Sequence, residues 1–96
     1  MISSKQRSFL RGLANPLEPI FQIGKGGLGE GVFAALDDAL TARELIKVRV
    51  LKSTFEEPRD IAARLAEGLK ADVVQVIGQN IILYRPNKEE PKITLP

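Results

Sequence analysis

The chain has 96 residues, 44% of them hydrophobic, with a formal net charge of +2 and neither cysteine nor histidine. That length makes one globular domain, large enough for a hydrophobic core and too short for two. Without thiols there are no disulfides, thiolate zinc sites or cysteine nucleophiles, and without imidazole the commonest general base is missing, so any chemistry falls to carboxylates, lysines, hydroxyls and Tyr84.

The composition therefore predicts a protein that is not an enzyme, with no catalytic set, no metal site and no cofactor. The first residues lack the apolar stretch of a signal peptide, and no window approaches the roughly 18 apolar residues of a membrane span. A cytoplasmic, membrane-free protein is expected. Its charges are segregated: the first 17 residues carry Lys5, Arg7 and Arg11 with no acid, and Arg43, Lys47, Arg49 and Lys52 stand against Glu44 alone.

Taken in order, Ser3 or Ser4 caps a first helix on which Phe9, Leu10, Leu13 and Leu17 recur at roughly helical spacing, and Asn15-Pro16 ends it. Pro19 to Ile23 reads as a short strand. A helix is expected from about Glu30 to Ala42, with Val32, Phe33, Leu36, Ala39 and Leu40 as its apolar stripe and Asp37 and Asp38 on its solvated side. Adjacent carboxylates on a helix point roughly a hundred degrees apart, which suits them poorly to sharing a metal or a proton.

Glu44 to Lys52 alternates, with Ile46, Val48 and Val50 facing one way and Lys47 and Arg49 the other, the pattern of a half-buried strand with a basic outer face. The next helix starts either from a capping box of Thr54 and Glu57 or with Pro58 as its first residue; Ile61, Ala62, Leu65 and Leu69 give its apolar face and Asp60 with Arg64 an i,i+4 ion pair. Val73 to Ile77 and Ile81 to Tyr84 form a hairpin around Gly78-Gln79-Asn80. After Pro86 the chain turns polar and proline-bearing, so a domain over 1–86 and a loosely held, flexible tail over 87–96 are expected. The sum is α/β (α+β): a helix followed by βαβαββ, three helices on a four-stranded mixed sheet.

Between the first strand and the second helix lies Gly24-Lys25-Gly26-Gly27-Leu28-Gly29-Glu30-Gly31. Five glycines in eight residues imply positive φ or something approaching the backbone closely, and the following helix begins with unpaired N–H groups and a partial positive charge. Phosphate suits such a place. One reading is a KH-like GxxG loop, Gly24 to Gly27, that clamps a nucleic-acid backbone. Another is a dinucleotide fingerprint, since Gly24, Gly26 and Gly29 satisfy G-x-G-x-x-G, but the acid it requires at the end of the second strand is missing: Glu44 has the spacing and sits at the strand's start. A third is a protein-interaction module. Of the aromatics, Phe9, Phe21 and Phe33 have core-facing patterns, which leaves no aromatic cluster for base stacking.

The order of Ser4-Lys5-Gln6-Arg7, Leu10-Arg11-Gly12-Leu13-Ala14, Ile23-Gly24-Lys25-Gly26-Gly27-Leu28, Glu30-Gly31-Val32, Arg43-Glu44-Leu45-Ile46-Lys47-Val48, Val76-Ile77-Gly78 and Leu83-Tyr84-Arg85 resembles the CRM domain, the chloroplast RNA splicing and ribosome maturation family, in its stand-alone bacterial YhbY-like form. The resemblance implies that Gly24 to Gly27 is the GxxG loop, that the fold is similar to the C-terminal domain of translation initiation factor three, and that the partner is ribosomal RNA of large-subunit precursors. With the segregated charge it suggests an RNA-binding surface of Gly24, Lys25, Gly26, Gly27, Arg7, Arg11, Lys47, Arg49 and Arg85 on a monomer with no small-molecule substrate. Many relatives have Thr at the position of Gly29, a better helix cap, and often carry His around Asn15-Pro16.

Overall fold

The computed structural model describes residues 2–54 and 56–96. Its elements are α1 (Ser4–Ala14), β1 (Phe21–Ile23), α2 (Glu30–Arg43), β2 (Leu45–Val50), α3 (Pro58–Leu69), β3 (Asp72–Ile77) and β4 (Asn80–Tyr84). The sheet order is β1-β2-β4-β3, with β1 parallel to β2 and the other pairings antiparallel. The expected helix-then-βαβαββ order and mixed sheet are therefore present. The crossover through α3 skips one position, and β4 folds back to fill it, so β3 lies on the edge farthest from β1.

Local chemistry explains the ends of the helices. Ser3 is the cap of α1: its hydroxyl accepts from the Gln6 N–H at 3.1 Å while the Gln6 side chain accepts from the Ser3 N–H at 3.0 Å. Pro58 opens α3 behind Glu57, and no Thr54 capping box forms. Arg64 pairs with Glu56 rather than with the expected Asp60; both partners are half-exposed, so the pair contributes little. Gly68, within α3, lets the Phe33 ring of α2 lie where a methyl group would collide with it.

Two cores flank the sheet. On one face Leu36 and Leu40 of α2 and Ile61 and Leu65 of α3 cover Ile46, Val48, Val50, Ile81 and Leu83. Among the described residues the outer face is covered at one end only, where Leu10 and Ala14 of α1 pack on Leu45, Val74, Ile82 and Tyr84. Val74 reaches that core because β3 carries a bulge between Val73 and Gln75. The first helix thus buries a narrower stripe than its sequence suggests: Phe9, Leu13 and Leu17 stay about 40% exposed. Among the described residues no helix is long and apolar enough to cross a membrane.

The segment expected to be a loosely held tail is instead placed against this outer core. Glu44, fully buried between α2 and β2, accepts backbone N–H bonds from Asn87 at 2.6 Å, Lys92 at 2.6 Å and Ile93 at 2.8 Å. Ile93 and Leu95 pack on the cluster around Leu45 and Tyr84. Glu44 also has φ +66, a strained conformation for a side-chain-bearing residue, held by its N–H to Leu40 and by the Arg85 N–H to its carbonyl.

Burial pushes the Glu44 carboxyl pKa up, but the three N–H donors and the charge of Lys92 outweigh it and hold the value below the ordinary one. A carboxylate lowered on folding stabilises above its unfolded pKa of about 4.3, and that stabilisation is lost as pH falls through the folded value. Glu44→Gln should therefore cost about 1–3 kcal/mol at pH 7, because its amide NH2 would face an N–H donor. In urea unfolding the gap between parent and variant should narrow as pH drops below about 4.

Candidate nucleic-acid interface

The glycine stretch is positioned by the parallel pairing of β1 with β2, which sets Ile23 beside Val50, and by the Leu51 N–H donating to the Ile23 carbonyl at 2.9 Å. Immediately beyond, Gly24 to Gly27 closes as a turn, the Gly27 N–H donating to the Gly24 carbonyl at 3.0 Å. Gly27 has φ +67 and needs to be glycine. Lys25 and Gly26 form the exposed tip, and a Cβ at Gly26 would meet nothing among the described residues within 4 Å. Leu28 then drops onto the core, and Gly29 caps α2 through its carbonyl without a side-chain acceptor.

The turn is braced from behind. The Thr54 hydroxyl lies 3.0 Å from both the Ile23 and the Gly24 carbonyl, sharing one hydrogen between them. The β3–β4 turn closes the same end of the sheet, since the Val50 N–H donates to the Gln79 carbonyl at 2.7 Å and the Gln79 side-chain amide donates to the Val50 carbonyl at 2.8 Å. Exposed Lys52 follows Leu51 directly, and Arg49 stands on the outer face opposite Gln22, one residue before Ile23. This end thus gathers Lys25, Arg49 and Lys52 around an open backbone turn, with Glu30 in the first turn of α2, and Glu56 and Glu57 in a recess shared with Lys52 and Thr54, as the nearby carboxylates.

The CRS1/YhbY (CRM) domain matches residues 2–85. The chain belongs to that family. It is 46% identical over 96 residues to the probable RNA-binding protein YqeI of Bacillus subtilis strain 168, covering 100% of both. It is 45% identical over 95 residues to a protein of Haemophilus influenzae named RNA-binding protein, covering 99% of this chain and 95% of that one. The solution structure of the hypothetical protein SAV1595 from Staphylococcus aureus superposes with a TM-score of 0.85 at 47% identity, covering 100% of each chain.

Within this CRM domain the predicted basic residues do not form one surface. Lys47, half-buried, and Arg49 share the outer face of β2 with the loop end. Arg7 instead donates to the Val73 and Val74 carbonyls at the bulge of β3, and Arg11 is exposed on the same helix. Since β3 is three strand spacings from β1, Arg7 is about 14 Å across the sheet from the loop strand. Arg85 is at the opposite end altogether: its N–H bonds Glu44, about 20 Å down β2 from Val50. Its guanidinium is spent on Asp37 at 2.7 Å, Thr41 and the Leu69 carbonyl, joining β4 to both helices. Arg85 is corrected from a loop-side contact to a clamp at the far end, and Asp37 from plain surface to its partner.

The dinucleotide reading fails on the same geometry, because the Glu44 carboxylate is saturated by three N–H groups at the far end of the sheet from the glycines. Sequence reasoning left Lys52 and Thr54 out of the site. Lys52 was legible as the end of the basic strand; Thr54 was hidden by its capping-box spacing to Glu57. Thr54→Val keeps the shape and removes the shared hydrogen, so it should lower stability by about 0.5–1.5 kcal/mol. Hydrogen exchange should show the Gly27 amide accelerating more than the amides of the α1 core, which follow only the global loss of stability.

Proposed function

We propose that this CRM domain is a non-catalytic RNA-binding protein whose Gly24 to Gly27 turn clamps the RNA backbone, with Lys25, Lys52, Arg49 and Lys47 supplying the charge. The observation that carries the reading is the open tip of Lys25 and Gly26, held on a braced turn among basic side chains. Relatives named RNA-binding proteins support it. Its RNA is ribosomal, in precursors of the large subunit, and the protein assists their assembly in the cytoplasm as a monomer; this finer reading rests on the family resemblance.

Binding to purified ribosomal RNA should weaken steeply as salt rises, because Lys and Arg displace condensed counterions. Changing Lys25 and Gly26 both to Asp puts two carboxylates where phosphate approaches, at positions outside the left-handed glycine, so the fold should survive. Affinity should fall at least tenfold with a shallower salt slope, while circular dichroism is unchanged. Glu30→Gln should act oppositely and tighten binding at low salt, by removing a like charge beside the clamp. A folded double-Asp variant that binds as the parent does would overturn the assignment.

A protein-docking module has one observation in its favour, the roughly 40% exposure of Phe9 and Leu13 on α1 and of Leu17 just beyond it. That reading predicts salt-insensitive association with a ribosomal protein and none with naked RNA.

A further inference from the structure

The outer face of the sheet is covered by α1 and the C-terminal segment only at the end carrying Leu45 and Tyr84. At the end next to the glycine turn Gln22, Arg49 and Ile77 are exposed, and nothing among the described residues packs a core over them. There the register lines up one row across all four strands: Gln22 of β1 pairs with Arg49 of β2, Arg49 with Asn80 of β4, and Asn80 with Ile77 of β3. Directly paired residues share a face, and their chain neighbours Ile23, Val48, Val50, Ile81 and Val76 all face the other core, so the row points outward. It is about 14 Å long and begins one residue before the turn.

We infer that this row, Gln22, Arg49, Asn80 and Ile77, receives the bases of an unpaired RNA segment whose backbone is held by the Gly24 to Gly27 turn. The inference rests on the RNA-binding reading and deepens it by naming the form of RNA.

The chemistry of the row fits bases better than phosphates. Exposed Gln22 offers an amide donor and acceptor, the pair that reads base edges, and Arg49 beside it offers a planar fork that bonds or stacks on a base. Ile77, 49% exposed at the end of an edge strand, supplies apolar surface for a base face. Asn80 is partly exposed, its Oδ1 withdrawn from solvent with no partner among the described residues. The row holds no carboxylate, and Lys47 lies beside it on the same strand face, so the field favours a polyanion. Duplex RNA is excluded from this use because its base edges are paired and its deep groove admits no side chains. Gln22, Asn80 and Ile77 of the row carry no charge and are distinct from the phosphate contacts of the turn, and that makes the two separable by experiment.

The test compares a labelled unpaired RNA dodecamer with a blunt duplex of the same length, each titrated at several salt concentrations. The parent should bind the unpaired strand at least tenfold more tightly. Gln22→Ala combined with Ile77→Ser should lose about five- to tenfold on the unpaired strand at unchanged salt slope, because no phosphate contact is removed, and should bind the duplex as the parent does. Arg49→Lys, which keeps the charge and loses the fork, should behave alike and guards against misfolding of the double variant. Equal binding of strand and duplex by the parent, or unpaired-strand affinity unchanged in both variants, overturns the inference while leaving RNA binding standing. A parent that binds neither RNA overturns both.

Discussion

A buried carboxylate without a cationic side chain bonded to it organises the end of the molecule away from the glycines. Glu44 sits where α2 must turn into β2, in a left-handed conformation that costs of order 1–3 kcal/mol for a residue with a side chain. Its carboxylate offsets that cost by accepting three backbone N–H groups that would otherwise be left unpaired in a buried place. The same residue's carbonyl receives the Arg85 N–H, and the Arg85 guanidinium then ties Asp37 and Thr41 of α2 to the last carbonyl of α3. Two helices, the central strands and the C-terminal segment are thereby fixed at one end of the sheet.

That arrangement leaves the other end free for function. With α2 anchored at its C-terminal end, its first turn and the glycine stretch before it need only a light brace, and Thr54, Leu51 and the Gln79 turn supply one through backbone carbonyls. Among the described residues, a Cβ at Gly26, Gly29 or Gly31 would meet nothing within 4 Å. An open backbone on a rigid support is what close contact with a phosphodiester requires, since the N–H groups reach the ligand without first being uncovered.

Much of this is legible in the residues. Helical and alternating periodicity locates the elements to within a few residues, because each buries one face, and the density of glycine by itself marks the turn. What stays hidden depends on distant pairing. Arg7 and Arg85 read as free charges because local sequence does not tell that β4 inserts between β2 and β3, carrying the Arg7 side of α1 to the far edge and Arg85 to the Glu44 end. Glu44 reads as a lone acid in a basic strand, and its partners are backbone N–H groups more than forty residues away, which carry no sequence signal. Phe9 fits a helical apolar stripe, yet α1 buries only Leu10 and Ala14 because the outer face beneath it is narrow. Polar residues after Pro86 suggest a loose tail, and the two apolar positions that dock it, Ile93 and Leu95, are too sparse to form a pattern.

The most direct measurement of the central claim, that the glycine-turn end of the sheet is the RNA-binding end, is an amide chemical-shift titration of nitrogen-15-labelled protein with an unpaired RNA oligonucleotide. The account predicts that residues 24–29, 49–54 and 77–80 shift together with one affinity, while 41–45 and 85–93 at the Glu44 end stay still. Perturbations centred on the Glu44 end or on the exposed flank of α1, with the amides of the glycine turn unmoved, would contradict it.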